Sequence, residues 1–216
     1  MHSRSLILGL AAVGAALLAA APAKAVSLDS LLGTGNMIVS GNVVYSNFGY
    51  GGTTPASSVV VTQTATGLSF STNTGGWTTP SGSSVISYDV AVTGANVESV
   101  GLGFTATVTG SASAFVGETI TDKANNKDYS LQVFTDGSGP LPDTDSASVS
   151  LNPASSSLHV IKSIDVASNG GSATITLVDN TFTQGGGAGP EVPEPMSLAL
   201  LPLGIAGLAL RKKFAR

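Results

Sequence analysis

The chain has 216 residues, 42% of them apolar and 10% charged, with 27 glycines, no cysteine and a formal net charge of −4. Without cysteine there is no disulfide framework and no thiolate-bound metal. Between Val26 and Pro195 only Lys123, Lys127 and Lys162 stand against all thirteen acidic residues, which excludes a basic surface for nucleic acid or anionic lipid along that stretch.

In chain order, His2 and Arg4 give a short positive start, residues 6–21 are an apolar run, and Ala23-Lys24-Ala25 supplies a small-x-small cleavage pattern. This anatomy predicts a secretory signal peptide over 1–25, with Ala23 and Ala25 at the cleavage site and a mature start near Val26. Ala21-Pro22-Ala23 is the second cleavage choice.

The body follows. Residues 26–32 predict one short turn of helix. Apolar and β-branched residues then alternate with polar ones at 42–48, 58–64, 67–71, 85–93, 103–108, 129–134, 147–151, 158–166 and 173–178, the period-two pattern of strands. In 85–93, Ile86, Tyr88, Val90 and Val92 share one face, with Ser87, Asp89, Ala91 and Thr93 on the other. Turn chemistry separates the strands at Gly75-Gly76, Asn96, Asn125-Asn126, residues 137–142 and Asn169-Gly170-Gly171. The last predicts a hairpin joining 158–166 to 173–178. The expected fold is mainly β: one antiparallel β-sandwich, jelly-roll-like, over 26–182. A Gly-rich linker over 183–191 follows it.

The body is thin in chemistry. His159 is its one histidine and falls on the polar face of 158–166 with Ile161, Ser163 and Asp165. No Gly-x-Ser-x-Gly elbow accompanies it. Asp89, Glu98, Glu118 and Asp122 are carboxylates formally available for glycoside hydrolysis, the pairing that such chemistry needs. Asp136, Asp143 and Asp145 crowd one Pro/Gly loop and are the candidate ligands for Ca²⁺, which takes hard oxygen donors. Glu118, Asp122 and Asp128 form a second acidic stretch. No other cofactor is expected. Trp77 and Tyr50 lie in Gly-rich surroundings and are candidates for stacking on sugar rings, although the favoured reading of Trp77 is a core role at one end of the sandwich.

The tail reads as an address. Pro193-Glu194-Pro195 is followed by fifteen uncharged residues, 196–210, and then by Arg211, Lys212, Lys213, Phe214, Ala215 and Arg216. As a helix rising ~1.5 Å per residue, the apolar run spans roughly 22 Å, short of a ~30 Å hydrocarbon core. Pro202 would kink it. That predicts a marginal transmembrane helix with Arg211, Lys212, Lys213 and Arg216 as a basic stop on the cytoplasmic side. Residues 192–216 resemble the PEP-CTERM sorting signal of Gram-negative bacteria in motif, order and spacing. A weaker resemblance, to a body recurrent among PEP-CTERM proteins, pairs Val44-Tyr45-Ser46-Asn47-Phe48 with Val160-Ile161-Lys162-Ser163-Ile164 and Phe182-Thr183-Gln184; it implies no chemistry.

The sorting resemblance implies recognition of Pro193, Glu194 and Pro195 by an exosortase, a membrane-embedded transpeptidase-like enzyme of exopolysaccharide-producing bacteria. With the signal peptide and its translocon, it implies inner-membrane anchoring before processing and the cell surface or extracellular matrix afterwards. The expected function is a non-enzymatic surface or matrix protein. The alternative is a carbohydrate-binding module for exopolysaccharide.

Overall fold

The computed structural model describes residues 24–80, 82–137 and 144–185. The predicted cleavage residue Ala23, Asp143, Pro193–Pro195 and the predicted transmembrane helix with its basic end lie outside the described residues. Among the described residues, no helix is long and apolar enough to cross a membrane.

Among the described residues, thirteen strands form two antiparallel sheets. In chain order they are β1 (Ala25–Ser27), β2 (Met37–Ser40), β3 (Val43–Gly52), β4 (Val59–Gln63), β5 (Gly67–Thr72), β6 (Trp77–Thr78) and β7 (Ser83–Val92). There follow β8 (Asn96–Thr109), β9 (Ser113–Asp122), β10 (Lys127–Asp136), β11 (Ser146–Ser155), β12 (Ser157–Ala167) and β13 (Ser172–Gly185). The six-stranded sheet runs β10-β9-β12-β7-β3-β2. The seven-stranded sheet runs β1-β4-β5-β13-β8-β11, with β6 also paired to β13. The fold is therefore a two-sheet antiparallel β-sandwich, and the short helical turn is a 3-10 turn at Leu28–Leu31.

The period-two pattern explains the layers. Ile86, Tyr88, Val90 and Val92 of β7 all point inward and are buried, as are Leu158, Val160, Ile164 and Val166 of β12. From the other sheet come Leu68, Phe70, Val100, Leu102, Ile175, Val178 and Phe182. Burial of this apolar surface stabilises the sandwich at about 25 cal/mol per Å². The Tyr88 ring is the hub: Phe48 stacks on it at 5.6 Å between centroids, Phe70 lies at 5.7 Å and Tyr45 meets it edge-on at 6.3 Å.

Two differences from the sequence reading have physical causes. First, β12 and β13 are not a hairpin. The Asn169-Gly170-Gly171 bend carries the chain from one sheet to the other, where β12 pairs β7 and β9 while β13 pairs β5, β6 and β8. Second, β13 continues through Thr183, Gln184 and Gly185, paired with Ser99, Val97 and Asn96, so the predicted linker start at 183 belongs to a strand. At the start of the described chain, Ala25 pairs Thr62 in β1 and the Lys24 carbonyl accepts the Gln63 N–H at 3.2 Å.

Candidate functional site

The outer face of the six-stranded sheet carries the richest polar chemistry open to solvent. In β7, Asp89 lies between inward Tyr88 and Val90 and so points outward. His159 of β12 is its direct cross-strand partner, and its Nδ1 lies 2.6 Å from Asp89 Oδ1. Lys123, in the turn after β9, donates from Nζ to the same oxygen at 2.7 Å. Asn47 donates from Nδ2 to Oδ2 at 2.8 Å.

A bulge aims that amide. Between Ser46↔Asp89 and Gly49↔Ser87, β3 spends one residue more than β7, and Asn47 sits there with φ of 54°. Asparagine tolerates this left-handed conformation better than most residues, and an inserted residue re-aims a side chain. The bulge also moves the inward phase of β3 from Val43 and Tyr45 to Phe48.

Partial burial pushes the Asp89 carboxyl up, but donors from Lys123, Asn47 and His159 and the charge of Lys123 outweigh it and hold it below its ordinary value. The carboxylate is ionised and fixed in place. Its neighbours along the strands are small or apolar. The next cross-strand row is Thr119, Ile161, Ser87 and Gly49, and the one after is Gly117, Ser163, Val85 and Gly51. Ile161 and Val85 are 39% and 45% exposed, unusual for large aliphatics at the centre of a sheet. The Phe115 ring leans over Gly117.

The arrangement offers hydrogen-bonding groups beside apolar surface. It is not a serine-hydrolase triad: the hydroxyl opposite His159 is that of Thr121, and it donates to Asp128 at 2.7 Å.

A concavity lies on the opposite outer face. It encloses about 370 Å³ over Gly101 and Gly103, between Asp179 and Thr181 of β13 and Ser146 and Ser148 of β11. Asp179 there accepts the Ser69 hydroxyl.

The other sequence candidates take different places. Trp77 is fully buried and donates from Nε1 to Ser84 Oγ at 3.0 Å; it presents no ring face to a sugar and fills the core. Tyr50 is half-buried, with its hydroxyl engaged by Ser84 at 2.8 Å and by the Thr54 carbonyl. Asp136 closes β10 opposite Ser113, and the Asp145 carbonyl accepts the Phe104 N–H at 3.1 Å. Among the described residues, no three His, Cys, Asp or Glu side chains are grouped to hold a metal ion.

The acidic stretch Glu118–Asp128 does not act as one site. Asp122 is buried and organises the β9–β10 turn, accepting from the Ala124 and Asn125 N–H groups at 3.0 Å each, Asn125 Nδ2 at 2.7 Å and Ser155 Oγ at 2.5 Å. Glu118 is buried in the core as the cross-strand partner of Lys162.

Sequence reasoning did not assemble the Asp89 cluster. Each member is a lone polar residue, and pairing Asp89 with His159 across 70 positions needs the sheet register. Lys162 was visible in principle, since it shares the parity of Leu158, Val160 and Ile164.

No family model matches the chain, and no curated protein matches it. Among solved structures it is similar to TmCBM61 in complex with β-1,4-galactotriose, at 13% identity and a TM-score of 0.35, over 64% of this chain and 90% of that one. It is also similar to the enzymatically active domain of bacteriophage CBA120 tailspike protein 4, at 13% identity and 0.28, over 66% of this chain and 20% of that one. A third is a mutant Xylanase10C from Cellvibrio japonicus in complex with xylopentaose, at 15% identity and 0.27, over 68% and 28%. No residue of the Asp89 cluster takes a role from these likenesses.

Proposed function

We propose that this chain is an exported, non-enzymatic protein whose jelly-roll-like β-sandwich binds polysaccharide on the outer face of its six-stranded sheet. One observation carries the reading. A carboxylate held by three donors shares an outer face with exposed Ile161, one cross-strand row away, and exposed Val85, two rows away, with Gly49 and Gly51 in the same rows. Sugar rings present hydroxyls at their edges and C–H groups on their faces, so they are matched by fixed polar groups next to apolar surface. Asp89 accepts from ring hydroxyls, while Asn47, Lys123 and His159 fix its orientation. Ile161 and Val85 meet the C–H face. The excess of acid over lysine in the body repels polyanions, so the ligand is a neutral glycan. The export signal and the Pro193-Glu194-Pro195 tail would place this face at the cell surface or in the extracellular matrix.

The test is affinity electrophoresis of the purified chain through gels holding neutral or acidic polysaccharides. The wild type is retarded by a neutral glycan. Asp89→Ala and Ile161→Asp lose that retardation, and Ser148→Ala, on the opposite face, keeps it. Free migration in every gel, or loss with Ser148→Ala alone, overturns the assignment.

A further inference from the structure

The core holds a polar group that the sugar-binding reading does not use. Lys162 and Glu118 are both fully buried and form an ion pair. They are direct Cα partners on neighbouring strands β12 and β9 of the six-stranded sheet. The other Glu118 oxygen, Oε1, accepts from Asn180 Nδ2 at 2.9 Å. Asn180 comes from β13 of the facing sheet, so one carboxylate bridges an amine and a carboxamide across the core. The Asn180 carbonyl oxygen, in turn, accepts the Tyr88 hydroxyl at 2.7 Å. The Phe70 ring lies 6.0 Å from Lys162 Nζ. A buried ion pair is often no more stabilising than apolar side chains of similar volume, so packing alone is a weak reason for this set.

We propose that Lys162 and Asn180 are the two halves of a self-formed intramolecular isopeptide cross-link, with Glu118 as its acid–base group and Tyr88 as its electrophilic aid. In the step, the Lys162 Nζ lone pair attacks Asn180 Cγ. The Nζ–Cγ bond forms, the Cγ–Nδ2 bond breaks and ammonia leaves. Glu118 takes a proton from the attacking amine and delivers one to Nδ2, the nitrogen that already donates to it. The extra proton of the ion pair stays on Glu118. Atoms and charge balance with no oxidant, reductant or co-reactant.

Each requirement has a residue. The nucleophile must be a free amine, and burial lowers the Lys162 pKa although Glu118 opposes it, the route by which buried lysines become reactive. The tetrahedral oxyanion needs a donor, and Tyr88 points at that oxygen. Burial, then the charges of Glu118 and Tyr45, holds the Tyr88 hydroxyl well above its ordinary pKa, so it keeps its proton. Proximity comes from sharing one carboxylate in a packed core, which turns a slow amide exchange into an intramolecular reaction. The product staples the six-stranded sheet to the seven-stranded sheet, in a chain that has no cysteine for a disulfide.

Peptide mass analysis decides the matter on the full chain. Cleavage before aspartate puts Lys162 in residues 145–164 and Asn180 in the peptide that starts at Asp179. The expected product is one branched species joining the two, lighter than their sum by one ammonia. Lys162 in it resists amine acylation after denaturation. Recovery of two separate peptides with an acylatable Lys162 overturns the proposal. Asn180→Ala gives unlinked peptides and a lower melting temperature. Glu118→Gln, if folded, also gives unlinked peptides, and a linked product from it overturns the role of Glu118. If Glu118→Gln does not fold, the wild-type digest and Asn180→Ala still decide the link itself.

Discussion

Asp89 and Asp122 sit at opposite ends of one physical argument. Asp89 is a half-open carboxylate fixed by side chains from three strands or turns, available to a ligand. Asp122 is wholly buried and spent on its own turn. For both, burial pushes the carboxyl up and hydrogen bonds outweigh it: for Asp122 they come from Ser155, Asn125 and two backbone N–H groups, for Asp89 from Lys123, Asn47 and His159. Both folded pKa values are therefore depressed. Their stabilisation is fully present above the unfolded aspartate value of about 3.9 and is lost as pH falls from there through the folded values. Thermal unfolding followed from about pH 2 to about pH 6 should show this acid limb, and Asp122→Asn should flatten it. An Asp122→Asn limb as steep as the wild type would refute the linkage. None of this was legible in the acidic spacing of Glu118, Asp122 and Asp128. Strand parity separates them: Glu118 and Asp122 face inward, while Asp128 meets Thr121 on the outside.

At the scale of elements, β9 was missed for the same reason that it matters. Its inward row is Ala114, Val116, Glu118, Ile120 and Asp122, and two carboxylates in a core row erase the apolar alternation by which a strand is recognised. The strand is nonetheless central, between β10 and β12. Glycines mark where elements touch. A Cβ at Gly67 would come within 1.9 Å of the Asn180 backbone carbonyl oxygen, where β5 meets β13, whereas one at Gly51 meets nothing within 4 Å. Gly67→Ala should therefore cost about 1–3 kcal/mol, the usual toll of overpacking. Gly51→Ala should be neutral or gain up to about 1 kcal/mol from lost backbone freedom in the unfolded chain. Urea midpoints at unchanged m-value measure both. Equal midpoints for the two variants would show that the β5–β13 approach is not a close one.

At the scale of the whole molecule, the proposed sorting and the folded body separate cleanly. Pro193 and Pro195 lack N–H groups and disfavour helix, so Glu194 is expected in an extended peptide before the apolar run. Replacing Pro193-Glu194-Pro195 with three alanines should block maturation and leave residues 211–216 attached, as read by intact mass of the membrane fraction. An identical truncated mass from both forms would remove the motif from recognition. The sequence by itself determined the mainly-β class, most strands and the buried row of β7, because alternation against a single buried face is a local property. The proposed address at the two ends likewise rests on composition alone. Only the tertiary structure decided which sheet each strand joins: β12 and β13 carry the same pattern, and either pairing buries it equally well. The structure likewise decided that Asp89, His159, Lys123 and Asn47 meet, and that Lys162, Glu118 and Asn180 share one buried site. Such meetings depend on register between strands far apart in the chain, and a linear pattern holds no record of which residue stands opposite which.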